Sequence, residues 1–161
     1  MYKAYFNSQL GIIEITGNTE GIKSLDFTEF ENIPVDDDHL PDCIKECLVQ
    51  LSQYFEGKRK RFELALIING TDFQQRVWDR LLNIPYGKTL SYKDIASMSG
   101  NIKAVRAVGN ANNKNKIAVI IPCHRVIGSN KSLTGYAGGL WRKKWLIDHE
   151  KKLCHADYVS I

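Results

Sequence analysis

The sequence predicts an α+β fold, with a small α/β domain over residues 1–69 and a mostly helical domain over residues 70–161 that contains a helix-turn-helix. Three observations carry this prediction. Short β-prone runs crowd the first 30 residues, whereas from residue 71 onward apolar residues recur at helical spacing. Two short helical segments between Ser91 and Asn112 are joined by a glycine-containing turn. The charge also reverses: residues 1–70 carry 7 Lys/Arg against 12 Asp/Glu and residues 71–161 carry 15 against 6, so an acidic half precedes a basic one.

The elements follow in order. Tyr2–Phe6, Gly11–Thr16 and Ile22–Phe27 read as strands of a β-meander, divided by the turn-forming stretches at residues 7–8 and 17–21. An acidic loop covers residues 29–38. Pro41 then opens a helix to about Phe55, with Ile44, Cys47, Leu48, Leu51 and Tyr54 at helical spacing and Gly57 as its stop. Residues 62–67 are expected as a further strand, and Asn69-Gly70 as a hinge. In the second half, Thr71 or Asp72 with a glutamine three residues on forms a capping box for a helix bearing Val77, Trp78 and Leu81. Ser91 with Asp94 caps a short helix to about Met98, and Ser99-Gly100-Asn101 turns into a helix from Ile102 to about Asn112. A glycine-rich loop at 135–139 precedes a last helix from about Leu140 to Leu153.

Composition excludes several classes. No apolar run approaches the ~20 residues of a membrane span, and the N-terminus lacks a signal-peptide layout. No membrane association is therefore expected, and four unpatterned cysteines read as reduced thiols in a cytoplasmic protein. The basic half predicts a polyanionic partner, nucleic acid being the commonest.

The second helix of the pair sharpens that expectation. At 100° per residue, Lys103, Arg106, Asn110 and Asn113 share one arc, bordered by Ala104, Ala107 and Ala111, while Ile102, Val105 and Val108 take the opposite, core-facing side. A donor-rich stripe flanked by alanines admits close approach of phosphates and base edges.

The chemistry concentrates at Ile121-Pro122-Cys123-His124-Arg125-Val126-Ile127. A cysteine in an apolar frame is ordinarily a core residue. Here a histidine and an arginine follow it at once, and cationic neighbours favour the nucleophilic thiolate. Pro122 biases Ile121 toward an extended conformation, which puts the thiol at a strand end or turn. In an extended segment Cys123 and His124 would point to opposite faces, so a water between them, or a turn, is expected. The base needs an orienting carboxylate, and Glu150 is the candidate. Its place near the end of the last helix, where the macrodipole disfavours negative charge, implies a specific partner.

These residues resemble the O6-alkylguanine-DNA alkyltransferases, or methylated-DNA–protein-cysteine methyltransferases. The similarity runs through residues 73–78, 84–92 and 103–109, then Asn115, Pro122-Cys123-His124-Arg125-Val126, Gly135-Tyr136, Trp145-Leu146 and His149-Glu150, with spacings preserved. It covers nearly all of residues 71–153. The first half resembles the family's ribonuclease-H-like domain only in layout, and the second its winged-helix-like domain.

The resemblance implies DNA repair by direct reversal of O6-alkylguanine, and of O4-alkylthymine, with irreversible transfer of the alkyl group to Cys123 in a single turnover. It implies that His124 is a water-mediated base, that Glu150 orients it, and that Asn115 braces the active-site turn. Tyr92 would contact the guanine and supply a proton. Val126, Tyr136 and Ala137 would bind the base, the carbonyls of Cys123 and Val126 accepting from its exocyclic amine. Ser91, Lys103, Arg106, Ala107, Asn110, Ala111 and Arg125 would bind DNA, Arg106 filling the gap left by the extruded nucleotide. The partner implied is double-stranded DNA, entered through the minor groove with a flipped alkylguanine, and the protein is expected to be a monomer without cofactor. Two other readings compete: a lesion-binding protein without catalysis, and a helix-turn-helix regulator.

Other residues carry less. His39, Cys43 and Cys47 fall at i, i+4 and i+8, but no fourth metal ligand lies nearby, and both cysteines read as core. Trp141 and Trp145 read as core or inter-helix packing, and Cys154-His155 as incidental.

Overall fold

The computed structural model describes residues 1–159, with side chains through Cys154. The chain divides into two units, Met1–Ile68 and Asn69–Ile161. The side chain of His155 lies outside the described residues.

In the first unit β1 (Tyr2–Ser8), β2 (Gly11–Asn18) and β3 (Gly21–Phe27) form an antiparallel meander. Alternation along β2 buries Ile13 and Ile15 against α1 (Asp42–Phe55), whose inner face carries Ile44, Cys47, Leu51 and Tyr54. Cys47 is core, with burial pushing its thiol up to about 12, and Cys43 Sγ donates to the Asn18 carbonyl at 3.0 Å. The acidic loop covers the open edge of β1: the Asp37 and Asp36 carboxylates accept from the backbone N–H groups of Lys3 and Tyr5, each at 2.8 Å.

The strand expected over 62–67 does not form. Gln50, buried on α1, offers its amide to the backbone of Glu63 as a strand would, accepting from Glu63 N at 2.8 Å and donating to Glu63 O at 3.1 Å. What remains of strand pairing is a single parallel bridge between Ile22 and Leu66.

In the second unit α2 (Asp72–Leu82) opens on the Thr71–Gln74 capping box, and Trp78 on its buried face donates to the Ala111 carbonyl at 2.9 Å. A two-residue strand β4 (Leu90–Ser91) leads into α3 (Tyr92–Met98), which Ser91 and Asp94 cap reciprocally. After the turn Asn101 caps a 3-10 turn at Ile102–Ala104, and α4 (Val105–Asn113) continues from it. A second 3-10 turn, Cys123–Arg125, precedes β5 (Val126–Ile127), which pairs in parallel with β4. The last helix α5 spans Leu140–Val159. No helix among the described residues is long and apolar enough to cross a membrane.

The 3-10 start of the second helix corrects the expected helical wheel. Three residues there advance about 120° each rather than 100°, which rotates the first turn out of phase with α4. Ile102 is 51% exposed and Val105 lies at the surface, and the core stripe consists of Val108, Ala111 and Asn112.

Candidate active site

The Cys123 turn is assembled from backbone outward. Asn115 sits just past α4, where its Nδ2 donates to Ile121 O at 2.8 Å while its Oδ1 accepts from Ile117 N at 2.9 Å. One side chain thus ties both ends of the 117–121 loop. Within that loop Val119 adopts a φ of 70°, a conformation β-branched residues rarely accept, so the surrounding bonds hold it there. Cys123 N then donates to Ile121 O at 2.7 Å and Arg125 N to Pro122 O at 2.9 Å, closing the 3-10 turn. Of the strand end or turn expected for the thiol, the chain forms the turn. Pairing of Leu90 with Val126 brings the start of α3, and with it Tyr92, to the same place.

His124 is 0% exposed, and its Nε2 lies 2.7 Å from Glu150 Oε2. Its Nδ1 is buried without a hydrogen-bond partner among the described residues. Burial alone would raise the Glu150 carboxyl, yet His124 and Arg125 beside it hold it well below the usual carboxylate range. An ionised Glu150 accepts the Nε2 proton, which leaves Nδ1 as the ring atom able to take another. Glu150 stands well inside α5, which extends to Val159, so it does not face the helix-terminal dipole expected from the sequence.

Arg125 does not reach the surface. Its Nε and Nη2 donate to Glu150 at 2.8 and 3.1 Å, and its Nη1 donates to Ile84 O at 2.6 Å. A guanidinium that is 92% covered and held on Glu150 and Ile84 by three of its N–H groups does not present itself to a phosphate outside, so the expected DNA contact by Arg125 is corrected to a positioning one. Ala111 is corrected likewise: it is 2% exposed, and its carbonyl is taken by Trp78. Lys103, Arg106, Ala107 and Asn110 are all exposed, on the outward side of the 102–113 segment, and Ser91 is half-buried at the N-cap of α3.

Burial pushes the Cys123 thiol up, and hydrogen bonds from Asn115 and Tyr136 and the charge of Lys143 pull against it. The cation acting on the thiol is thus Lys143, not the adjacent Arg125. Lys143 is 0% exposed, and burial lowers it to about 8 although Cys123 opposes that shift. Its Nζ donates to Thr134 O at 2.7 Å and to Tyr92 Oη at 3.3 Å, while Tyr92 Oη donates to the same Thr134 carbonyl at 2.8 Å. Burial raises Tyr92 and raises Tyr136 well above the usual phenol value, and the facing Cys123 adds to both shifts. Ala137 is exposed on the loop, and Val126 is buried behind the turn.

Sequence reasoning missed Lys143 and Asn112. Lys143 shares a helical stripe with Leu146, Ile147 and Glu150, and a lysine one turn from core residues on the stripe that carries Glu150 was the available signal. Of the two tryptophans on α5, Trp145 stacks on His149 at 4.6 Å, but Trp141 is 57% exposed beneath the Arg142 guanidinium and is no core residue.

Comparison with known proteins places these features in context. A family model described as 6-O-methylguanine DNA methyltransferase, DNA binding domain, matches residues 72–152, and one described as the ribonuclease-like domain of the same methyltransferase matches residues 1–68. The chain is 48% identical over 154 residues to the methylated-DNA–protein-cysteine methyltransferase of Methanosarcina barkeri, covering 94% of this chain and 98% of the relative. It is 44% identical over 153 residues to the protein of that name from Mycobacterium tuberculosis, covering 94% and 93%. The crystal structure of Mycobacterium tuberculosis OGT in complex with DNA superposes with a TM-score of 0.82 at 42% identity, covering 92% of this chain and 93% of that one.

Proposed function

Because the chain belongs to the 6-O-methylguanine DNA methyltransferase family, we propose that Cys123 is the residue that accepts the alkyl group and that His124, Glu150, Tyr92 and Asn115 make it competent to do so. The activity is repair of DNA by alkyl transfer to a cysteine, and DNA is the partner. One observation carries the assignment of Cys123. Among the four cysteines it alone adjoins a buried imidazole–carboxylate pair whose second ring nitrogen is unpartnered among the described residues.

The buried His124–Glu150 pair and the Tyr92–Lys143 contact support the following steps. The thiol is held protonated by burial at rest, so transfer needs a base. Nδ1 of His124 accepts the proton through an intervening water, and Glu150 stabilises the imidazolium that forms. Sγ then attacks the alkyl carbon in line with the C–O6 bond. The S–C bond forms, and the C–O6 electron pair passes to the guanine, which takes a proton from the Tyr92 phenol. Lys143, donating to that phenol, favours this release and can restore the proton. The thioether formed has no route to hydrolysis, so each molecule acts once.

The lesion reaches the thiol only out of the duplex. The exposed Lys103, Arg106 and Asn110, with Ala107 between them, suit a minor-groove approach, with Arg106 taking the place of the extruded base and Ser91 meeting the backbone. Tyr136, Ala137 and the carbonyls of Cys123 and Val126 line the base site. The protein works as a cytoplasmic monomer, with residues 1–69 as its α/β domain and 70–161 as its DNA-binding and alkyl-transfer domain. Incubation with an O6-methylguanine oligonucleotide, followed by digestion and mass spectrometry, should place one methyl group on the peptide bearing Cys123; methyl on another residue, or none, overturns the assignment.

A further inference from the structure

We propose that Arg142 is a positioning residue that limits the size of the alkyl group the site accepts, by clamping the 135–139 loop beside the Cys123 thiol. The proposal rests on the role of Cys123 set out under the proposed function. Once transfer is complete the alkyl carbon is bonded to Sγ, so whatever stands beside that sulfur bounds the room for the alkyl chain. Tyr136 stands there: its phenol oxygen is buried and acts on the Cys123 thiol. The place at which the loop holds Tyr136 therefore decides how long a chain fits.

The loop has a pivot at each end. Gly135 and Gly139 bound it at φ of 60° and 95°, conformations that glycine enters without the steric cost a side chain would bring. Between them the Gly139 N–H donates to Tyr136 O at 2.9 Å and folds the chain into a tight turn. Two consecutive residues of α5 fix that turn. Lys143 Nζ donates to Thr134 O at 2.7 Å, just ahead of the first glycine, and Arg142 Nη1 donates to Gly138 O at 2.9 Å, just before the second. Arg142 is buried, and its guanidinium lies 4.6 Å from the centre of the exposed Trp141 ring. Taking a guanidinium out of water is costly, and a methionine would fill the same space without that cost. What the guanidinium adds is a rigidly directed N–H on the loop, and a charge that acts on the Tyr136 phenol. The Trp141 ring adds a cation–π contact that holds the guanidinium in that direction.

The test measures single-turnover rates on duplex oligonucleotides bearing O6-methylguanine or O6-n-butylguanine, for the wild type, Arg142→Met and Trp141→Leu. Rates are normalised to the fraction of protein alkylated at completion. The quantity to read is the butyl-to-methyl ratio of each variant divided by that of the wild type, which cancels the intrinsic reactivities of the two carbons. Arg142→Met should raise it about tenfold, the scale on which a pocket discriminates by a methylene. Trp141→Leu, at an exposed position, should raise it by a smaller factor. Equal losses on both substrates would show a merely structural Arg142 and overturn the proposal, as would a ratio that falls in Arg142→Met. Where Arg142→Met does not fold, a level or lowered ratio in Trp141→Leu overturns it. Each of these results spares the role of Cys123. Absence of any transfer from O6-methylguanine to Cys123 by the wild type strikes the underlying reading instead.

Discussion

Glu150 Oε2 lies 2.7 Å from His124 Nε2, and the other oxygen of the same carboxylate takes Arg125 Nε at 2.8 Å. One buried carboxylate therefore fixes two consecutive residues of the turn that begins at Cys123. Its charge sets the imidazole tautomer, leaving Nδ1 free to accept a proton. Glu150→Gln keeps the shape but removes that charge, and should slow methyl transfer by about 100-fold or more in a single-turnover assay. Lesion binding, measured by fluorescence anisotropy, should be little altered.

Cys123→Ala should abolish transfer while the protein still binds O6-methylguanine duplex. The alanine fits the space of a buried thiol without crowding the base site, so retained binding with no methylation separates chemistry from recognition.

Arg106 and Arg125 should behave as opposites. Arg106 is exposed, so Arg106→Ala should lower the salt dependence of DNA binding by about one unit of slope and slow repair of duplex DNA more than reaction with the free base. Arg125→Ala strips a buried carboxylate of a partner and should cost about 3–5 kcal/mol in denaturant unfolding, with the salt slope unchanged.

Lys143 predicts a pH dependence of stability. Its folded-state value of about 8 lies below the unfolded value of about 10.4, so between these limits the unfolded chain binds more protons and stability rises with pH. The burial penalty is complete below about pH 8 and relieved toward about pH 10. Lys143→Met removes the term. Relative to that variant, wild-type stability should climb by about 2 kcal/mol between about pH 7.5 and pH 9.5 in urea titrations. The difference is the quantity to read, since the raised thiols of Cys47 and Cys123 pull the other way.

Much of this was legible in the sequence, because it depends on local rules. The α+β class, the three-strand meander and the Thr71 and Ser91 caps follow from side-chain alternation and from hydroxyls that satisfy orphan N–H groups. Cys123, His124 and Glu150 stood out as an ordered set whose types and spacing the family shares. What the sequence misjudged depends on where a backbone group finds its partner. Residues 62–67 have strand composition, yet the side chain of Gln50 occupies their backbone. The phase of the 102–113 segment turns on three residues in 3-10 geometry, which no periodicity of 100° anticipates.

Tertiary structure alone decided the electrostatics of the site. By sequence, Arg125 is the cation beside the thiol and Lys143 lies 20 residues away. In the fold Arg125 is spent on Glu150 and Ile84, while Lys143 comes in from α5 to act on Cys123 and Tyr92. The sequence determined which ionisable groups the site has. Burial decided which of them pair, because a charge taken from water must meet the partner that packing puts within reach, and chain neighbours of Cys123 had no privilege in that choice.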